Sequence, residues 1–186
     1  MSEEEWGKLY DKAGSRLKPV LLIAYQLGMR LGEILNLTWD RVDLQRGFIT
    51  LSERDTKNGE SRLVPITSCV RQVMTELFKV RSLLTNKVFL YNGRSVGSVK
   101  KAFKTALKEA GIQNFRFHDL RHCAATNLRR AGVDTVTAMK IVGHKSKKMY
   151  KRYNNVNEED LLKASAKLNT LITPANFPSR KESVTC

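Results

Sequence analysis

The segment Phe115-Arg116-Phe117-His118-Asp119-Leu120-Arg121-His122 constrains this chain more tightly than any other. Its last five positions hold two histidines, an arginine and an aspartate, and the following run, Cys123-Ala124-Ala125-Thr126-Asn127-Leu128, suits a continuing helix. At about 100° per residue, positions i, i+3 and i+4 share a helix face, so His118, Arg121 and His122 point the same way. Leu120, Ala124, Leu128 and Ala131 fall on an adjacent face and form an expected core stripe. One stripe anchors the helix while the next presents imidazole and guanidinium groups. That arrangement suits an anion better than it suits a plain solvated face.

The overall charge points the same way. The 186 residues include 33 Lys or Arg and 18 Asp or Glu, a net charge of +15 with neutral histidines. Such an excess implies a polyanionic partner, and nucleic acid is the first candidate because each neutralised phosphate releases counterions. Basic residues are spread along the chain, with clusters at Lys100-Lys101 and Lys145-Ser146-Lys147-Lys148, which fits a basic surface around a pocket rather than a basic tail. Cys69, Cys123 and Cys186 form no Cys-x-x-Cys pair. Their odd number argues for a reduced, cytoplasmic chain without structural zinc, with Cys123 buried beside the central helix. No signal-peptide pattern opens the sequence, and the longest apolar run, Val20 to Tyr25, is far too short to span a bilayer. No membrane partner is expected. The length suits one domain with a full core.

Taken in order, Ser2 and Glu5 read as a capping box on a short first helix, an abrupt opening that suits a domain boundary. Pro19 leads a helix with Val20, Leu21, Ala24 and Leu27 inward, broken by Gly28. A short helix from about Arg30 to Leu37 follows, so Arg30 sits at a helix junction whose first-turn amides favour an anion. Residues 42–44, 48–51 and 62–66 read as three antiparallel strands. Asn58-Gly59 marks the second turn, Pro65 places the last strand near an edge, and Lys57 lies near the tip, where local sequence makes it an ordinary turn lysine. Amphipathic helices are expected from Ser68 to Leu84, from a Ser95 cap to Ala110, through the central segment to Ala131-Gly132, and from an Asp134 cap to Val142. Gly143-His144 makes a turn, Ser146 caps a basic segment from Lys147 to Arg152, and Tyr153 follows. Asn157 opens a last helix with Leu161, Leu162, Leu168 and Leu171 on one stripe, and Pro174 ends it. The expected class is mainly α with a small three-stranded antiparallel β-sheet (α+β), with residues 173–186 a loose tail.

Local structure alone accounts poorly for Arg30, Lys57, His118, Arg121, His144 and Tyr153. In this order, within Gly28-Met29-Arg30-Leu31-Gly32-Glu33-Ile34-Leu35, Thr56-Lys57 ahead of Arg62-Leu63-Val64-Pro65, His118-Asp119-Leu120-Arg121-His122, Val142-Gly143-His144 and Arg152-Tyr153, the chain resembles the catalytic domain of the tyrosine recombinases, the phage integrase family. The resemblance runs to about Leu171 and implies a catalytic domain over residues 1–172. It implies that Tyr153 attacks a DNA phosphodiester, leaving a 3′-phosphotyrosyl link and a free 5′-hydroxyl. A 5′-hydroxyl from another strand then attacks the link and rejoins the DNA. The bond energy stays in the covalent link, so no metal or other cofactor is implied.

By the same resemblance, Arg30 and Arg121 clamp the phosphate, and His118 accepts the proton of Tyr153 or binds the phosphate. His144 donates a hydrogen bond to a non-bridging oxygen, and Lys57 protonates the departing 5′-oxygen. Glu33 orients Arg30, and His122 supports the site from behind. The chemistry is coherent on general grounds. A phenol of pKa about 10 needs cations to favour its ionised form, and planar guanidinium forks match the charge of a five-coordinate phosphorus. Tyr150 stands three positions before Tyr153, where the family often has a small polar residue, and the spacing from His144 favours Tyr153. The expected partner is double-stranded DNA, with four protomers on two duplexes and weak association or monomers without DNA. The family's separate N-terminal DNA-gripping domain is expected to be absent from this sequence.

Two other readings compete. His118, His122 and His144 could ligate a metal in a nuclease, although Arg30 and Arg121 would repel the cation and no His-Glu-x-x-His pattern is present. Alternatively the chain is a non-catalytic DNA-binding module in which Arg121 or Arg129 reads guanine in a major groove.

Overall fold

Leu17, Val20, Leu21, Leu22, Ile23, Ala24 and Leu27 are all buried on one eleven-residue helix, which makes that helix the centre of the core. A helix apolar on nearly every side has to be enclosed by its neighbours. The computed structural model describes residues 1–56, 59, 61–144, 162, 165 and 166. Two units are distinguished, Met1–Tyr153 and Asn154–Cys186; within the second, Leu162, Ser165 and Ala166 are helical and exposed.

In the first unit the order is α1 (Glu3–Lys12), α2 (Leu17–Leu27) and α3 (Leu31–Leu35), then β1 (Val42–Asp43), β2 (Phe48–Leu51) and β3 (Arg62–Pro65). After these come α4 (Ser68–Lys79), β4 (Leu90–Tyr91), β5 (Arg94–Ser95), α5 (Lys100–Glu109), α6 (Phe117–Arg130) and α7 (Thr135–Val142). The central helix is α2; α3, α4 and α6 pack against it. The sheet runs in the order β1-β2-β3, all antiparallel, with Ile49 opposite Val64 and Leu51 opposite Arg62. Alternation puts Ile49, Leu51 and Val64 inside and leaves Leu63 exposed. On its far side α6 carries α7, which also packs against β3. This contact closes the path from the sheet to the central helices and sets the site geometry.

Local chemistry explains most element starts. Ser2 accepts from the Glu5 amide while Glu5 accepts from the Ser2 amide, the reciprocal cap expected for α1. Asp134 caps α7 through the amides of Val136 and Thr137. At the head of α6, Asp119 accepts from the Arg116 amide at 2.8 Å, so the aspartate of the His-Asp-Leu-Arg run serves the helix start.

Several boundaries differ from those read in the sequence. α2 begins at Leu17, so Pro19 occupies the third position of its first turn, where no amide is needed either. α3 is shorter than the span to Leu37, with Arg30 as its N-cap. α4 stops at Lys79 rather than Leu84, because the chain must turn back for Val88 to donate to the Leu37 carbonyl and for Thr38 to bridge Lys87. Val80, Leu83 and Leu84 consequently stand exposed, Leu84 at 99 %. Ser95 does not cap a helix: Asn92 and Gly93, both at positive φ, close a hairpin that takes Ser95 into β5, and α5 begins at Lys100. Ala131 is the exposed C-cap of α6 rather than core, and Cys123 is half-buried. The segment Lys147–Arg152, the Ser146 cap, and the stripe residues Leu161, Leu168 and Leu171 lie outside the described residues, as does the tail; Leu162 is exposed.

Candidate active site

Four of the expected residues, Arg30, Arg121, His144 and Glu33, meet around one peptide carbonyl, that of Gly143. Arg121 reaches it from α6. This guanidinium is 2 % exposed, donating through one terminal nitrogen to the Gly28 carbonyl at 2.6 Å and through the other to the Gly143 carbonyl at 3.1 Å. Both of these acceptors are neutral carbonyls. Arg30 reaches the same Gly143 oxygen at 3.3 Å from the other side, with its side chain 19 % exposed.

The two glycines make this approach possible. Gly28 ends α2 at φ 66°, and a Cβ there would lie 2.8 Å from a Val142 methyl and 3.2 Å from Cβ of Ala124. Gly143 ends α7 at φ 72°, and a Cβ there would meet the Arg62 guanidinium at 3.0 Å. Left-handed backbone and close packing coincide at both positions, so a side chain is penalised twice.

Glu33 anchors the Arg30 side. It is buried and accepts four hydrogen bonds: the Arg30 amide and Arg62 Nη2 on one oxygen, Arg30 Nη1 and Arg62 Nη1 on the other, at 2.6 to 3.1 Å. Burial alone would raise its pKa, but the hydrogen bonds and charge of Arg62, and then those of Arg30, outweigh it and hold the carboxyl below its usual range. Two guanidinium groups against one carboxylate leave net positive charge beside Arg121.

The histidines close the cluster. His144 directly follows Gly143 and is buried; desolvation first, then the charges of Arg121, His122, Arg30 and His118, push its pKa down to about 4. His118 is exposed at the head of α6 and packs edge to face on His122, ring centroids 5.0 Å apart. Partial burial, followed by His122 and Arg121, outweighs Asp119 and holds His118 below the usual imidazole value. Both rings are therefore neutral near pH 7, able to donate from one nitrogen and accept at the other. A cleft of about 670 Å³ opens beside His144 between β3 and α7, lined by Thr50, Thr56, Arg62 and Met139 among others.

Lys57 and Tyr153 lie outside the described residues. Arg62 was not singled out from sequence, although the signal was there. Strand alternation puts it on the inner face with Val64, and an arginine on a buried face requires an acid.

The sequence model of the phage integrase family matches residues 1–160, and the chain belongs to that family. A shufflon-specific DNA recombinase of Escherichia coli is 32 % identical over 161 residues, which cover 86 % of this chain and 40 % of that protein. The integrase of Salmonella phage P22 is 28 % identical over 185 residues, covering 92 % of this chain and 47 % of that one. The chain thus spans less than half the length of these two relatives. Among solved structures, the catalytic domain of bacteriophage HP1 integrase matches with a TM-score of 0.70 at 22 % identity, covering 92 % of this chain and 95 % of that one, a likeness of fold.

Proposed function

We propose that residues 1–172 act as the catalytic domain of a site-specific DNA recombinase that breaks and rejoins strands through a tyrosine. The observation that carries this reading is the convergence of Arg30, Arg121 and His144 on the Gly143 turn in a chain of this family. The phenolic oxygen of Tyr153 attacks the scissile phosphorus, forming a 3′-phosphotyrosyl bond as the bond to the 5′-oxygen breaks. Neutral His118 takes the phenolic proton or binds the phosphate, and Lys57 gives a proton to the departing 5′-oxygen. Arg30 and Arg121 place fixed positive charge against the non-bridging oxygens as the transition state gains charge there, and His144 adds a donor. A 5′-hydroxyl of a second strand reverses the step and restores the diester, so no external energy is consumed.

The substrate in this reading is duplex DNA, matched by the net charge of +15. Four protomers on two duplexes would allow strands to be exchanged, in the cytoplasm of a cell or of a phage host. Among the described residues no helix is long and apolar enough to cross a membrane.

The test is to incubate the protein with nicked duplexes carrying a randomised core and to look for an SDS-resistant protein–DNA band. Wild type is expected to form it, equally well with a chelator present. Tyr153→Phe should bind DNA and form none. A band that persists in Tyr153→Phe and disappears in Tyr150→Phe would move the nucleophile; a band abolished by chelator would favour the metal-dependent reading.

A further inference from the structure

Arg62 lies behind the Glu33 and Gly143 side of the site. Its side chain is 8 % exposed on β3, a strand that contributes no other charged residue. All three guanidinium nitrogens are committed: Nη1 and Nη2 to the two oxygens of Glu33 at 3.1 and 2.6 Å, and Nε to the Ile141 carbonyl at 3.2 Å. The guanidinium also packs on Gly143 so closely that a Cβ there would sit 3.0 Å from Nη1. A single side chain therefore touches the carboxylate that holds Arg30, the last turn of α7, and the glycine whose carbonyl receives both Arg30 and Arg121.

We infer that Arg62 is a positioning residue for the strand-cleaving reaction: by sharing Glu33 with Arg30 it keeps that carboxylate from neutralising Arg30, so that Arg30 presents both its geometry and its charge to the phosphate. Were Arg62 absent, Glu33 would remain buried with one cation in reach. A carboxylate so placed draws the guanidinium into a two-toothed pair with itself, the geometry arginine favours. Arg30 would then turn from the Gly143 carbonyl, and the net positive charge on that side of the site would vanish. The loss would fall on the transition state, where phosphate charge peaks, more than on ground-state DNA binding.

This inference rests on the recombinase reading, and the test separates the two. Single-turnover cleavage of the nicked duplex is measured for wild type, Arg62→Met, Arg62→Met with Glu33→Gln, and Arg62→Lys, together with DNA affinity and the NMR signal of the Arg30 Nε–H. Arg62→Met is expected to slow cleavage by roughly 30-fold or more while DNA affinity changes by less than about threefold, because a transition-state interaction is lost. Adding Glu33→Gln should recover roughly tenfold of that rate, since a neutral amide no longer captures Arg30. The Arg30 Nε–H resonance should shift in Arg62→Met and return toward its wild-type position in the double variant. If Arg62→Met does not fold, Arg62→Lys decides: it keeps the charge but cannot span both Glu33 oxygens and Ile141, and a several-fold loss in kcat at constant KM is expected. Wild-type cleavage in either single variant, or a double variant no faster than Arg62→Met, would overturn the positioning role. If wild type itself forms no covalent product, the recombinase reading fails, and the Arg30 resonance alone then judges the link; an unmoved resonance rejects it.

Discussion

The two arginines at the Gly143 turn differ in burial and in the acceptors that bind their terminal nitrogens. On the α6 side, Arg121 is buried and fixed by carbonyls of Gly28 and Gly143, groups without net charge. On the α3–β3 side, Arg30 is partly exposed and fixed by a carboxylate, which Arg62 shares. The first arrangement depends on backbone placed by two left-handed glycines. The second depends on a balance of charges among three side chains. A carbonyl clamp is difficult to detune without breaking the fold, whereas a shared carboxylate can be unbalanced by a single side chain on β3. On the recombinase reading, this balance is what assigns Arg62 to the Arg30 side of the site.

The largest effect should come from Arg121→Ala. On the recombinase reading it removes a fixed charge from the reacting phosphate and should slow single-turnover cleavage by roughly three orders of magnitude, with Tm lowered as well because the Gly28 carbonyl loses its Arg121 donor while Gly143 keeps only that from Arg30. Glu33→Ala should act first on stability. It leaves Arg62 buried beside Arg30 without their acid, and breaking such a pair costs about 3–5 kcal/mol, a Tm drop on the order of 10 °C by calorimetry. Equal rate losses from Arg62→Met in the wild-type and Arg121→Ala backgrounds would sharpen the comparison, because separate supports add while a shared one does not.

A smaller effect is expected from pH. Native His144 titrates near 4 and native His118 below the ordinary imidazole value, whereas both titrate at about 6.5 when unfolded. Between those values the unfolded chain takes up protons that the native chain does not. Stability should therefore be level, as far as these groups act, above pH 6.5 and fall as pH drops toward 4. The slope of Tm against pH over that window should be shallower in His144→Gln. The acid limb of kcat/KM should likewise lie below pH 6.5 if neutral His118 is the working form. At the bottom of the scale, Leu84→Ser should change stability by less than about 0.5 kcal/mol, since that side chain is fully exposed beyond the end of α4.

How far the sequence could be read depended on the range of the forces at each place. Caps at Ser2 and Asp134, the alternation of the three strands and the apolar faces of α2 and α6 are local, and they were legible. Helix ends were less so. Apolar residues continue past Lys79 with helical spacing, but a hydrogen bond from Val88 to Leu37, far away in sequence, decides where α4 stops. Ser95 reads as a helix cap from its neighbours alone, but the Asn92-Gly93 hairpin claims it for β5. Within the site, Arg30, Glu33, His118, Arg121 and His144 could be named from motif order. What motif order does not contain is the tie between β3 and α7. Arg62 meets Glu33 across 29 positions and Ile141 across 79, and only the packing of α7 on the sheet brings them together.

On the recombinase reading these guanidinium groups act on the charge of the scissile phosphate. Replacing one charged non-bridging oxygen of that phosphate with a methyl group removes that charge from the substrate instead of from the protein. On the neutral methylphosphonate duplex, Arg121→Ala should cleave at a rate approaching that of wild type on the same substrate, although it is nearly inactive on the normal diester. An Arg121→Ala protein equally deficient on both substrates would contradict the account, because its defect would then lie in the fold rather than in the charge it removes.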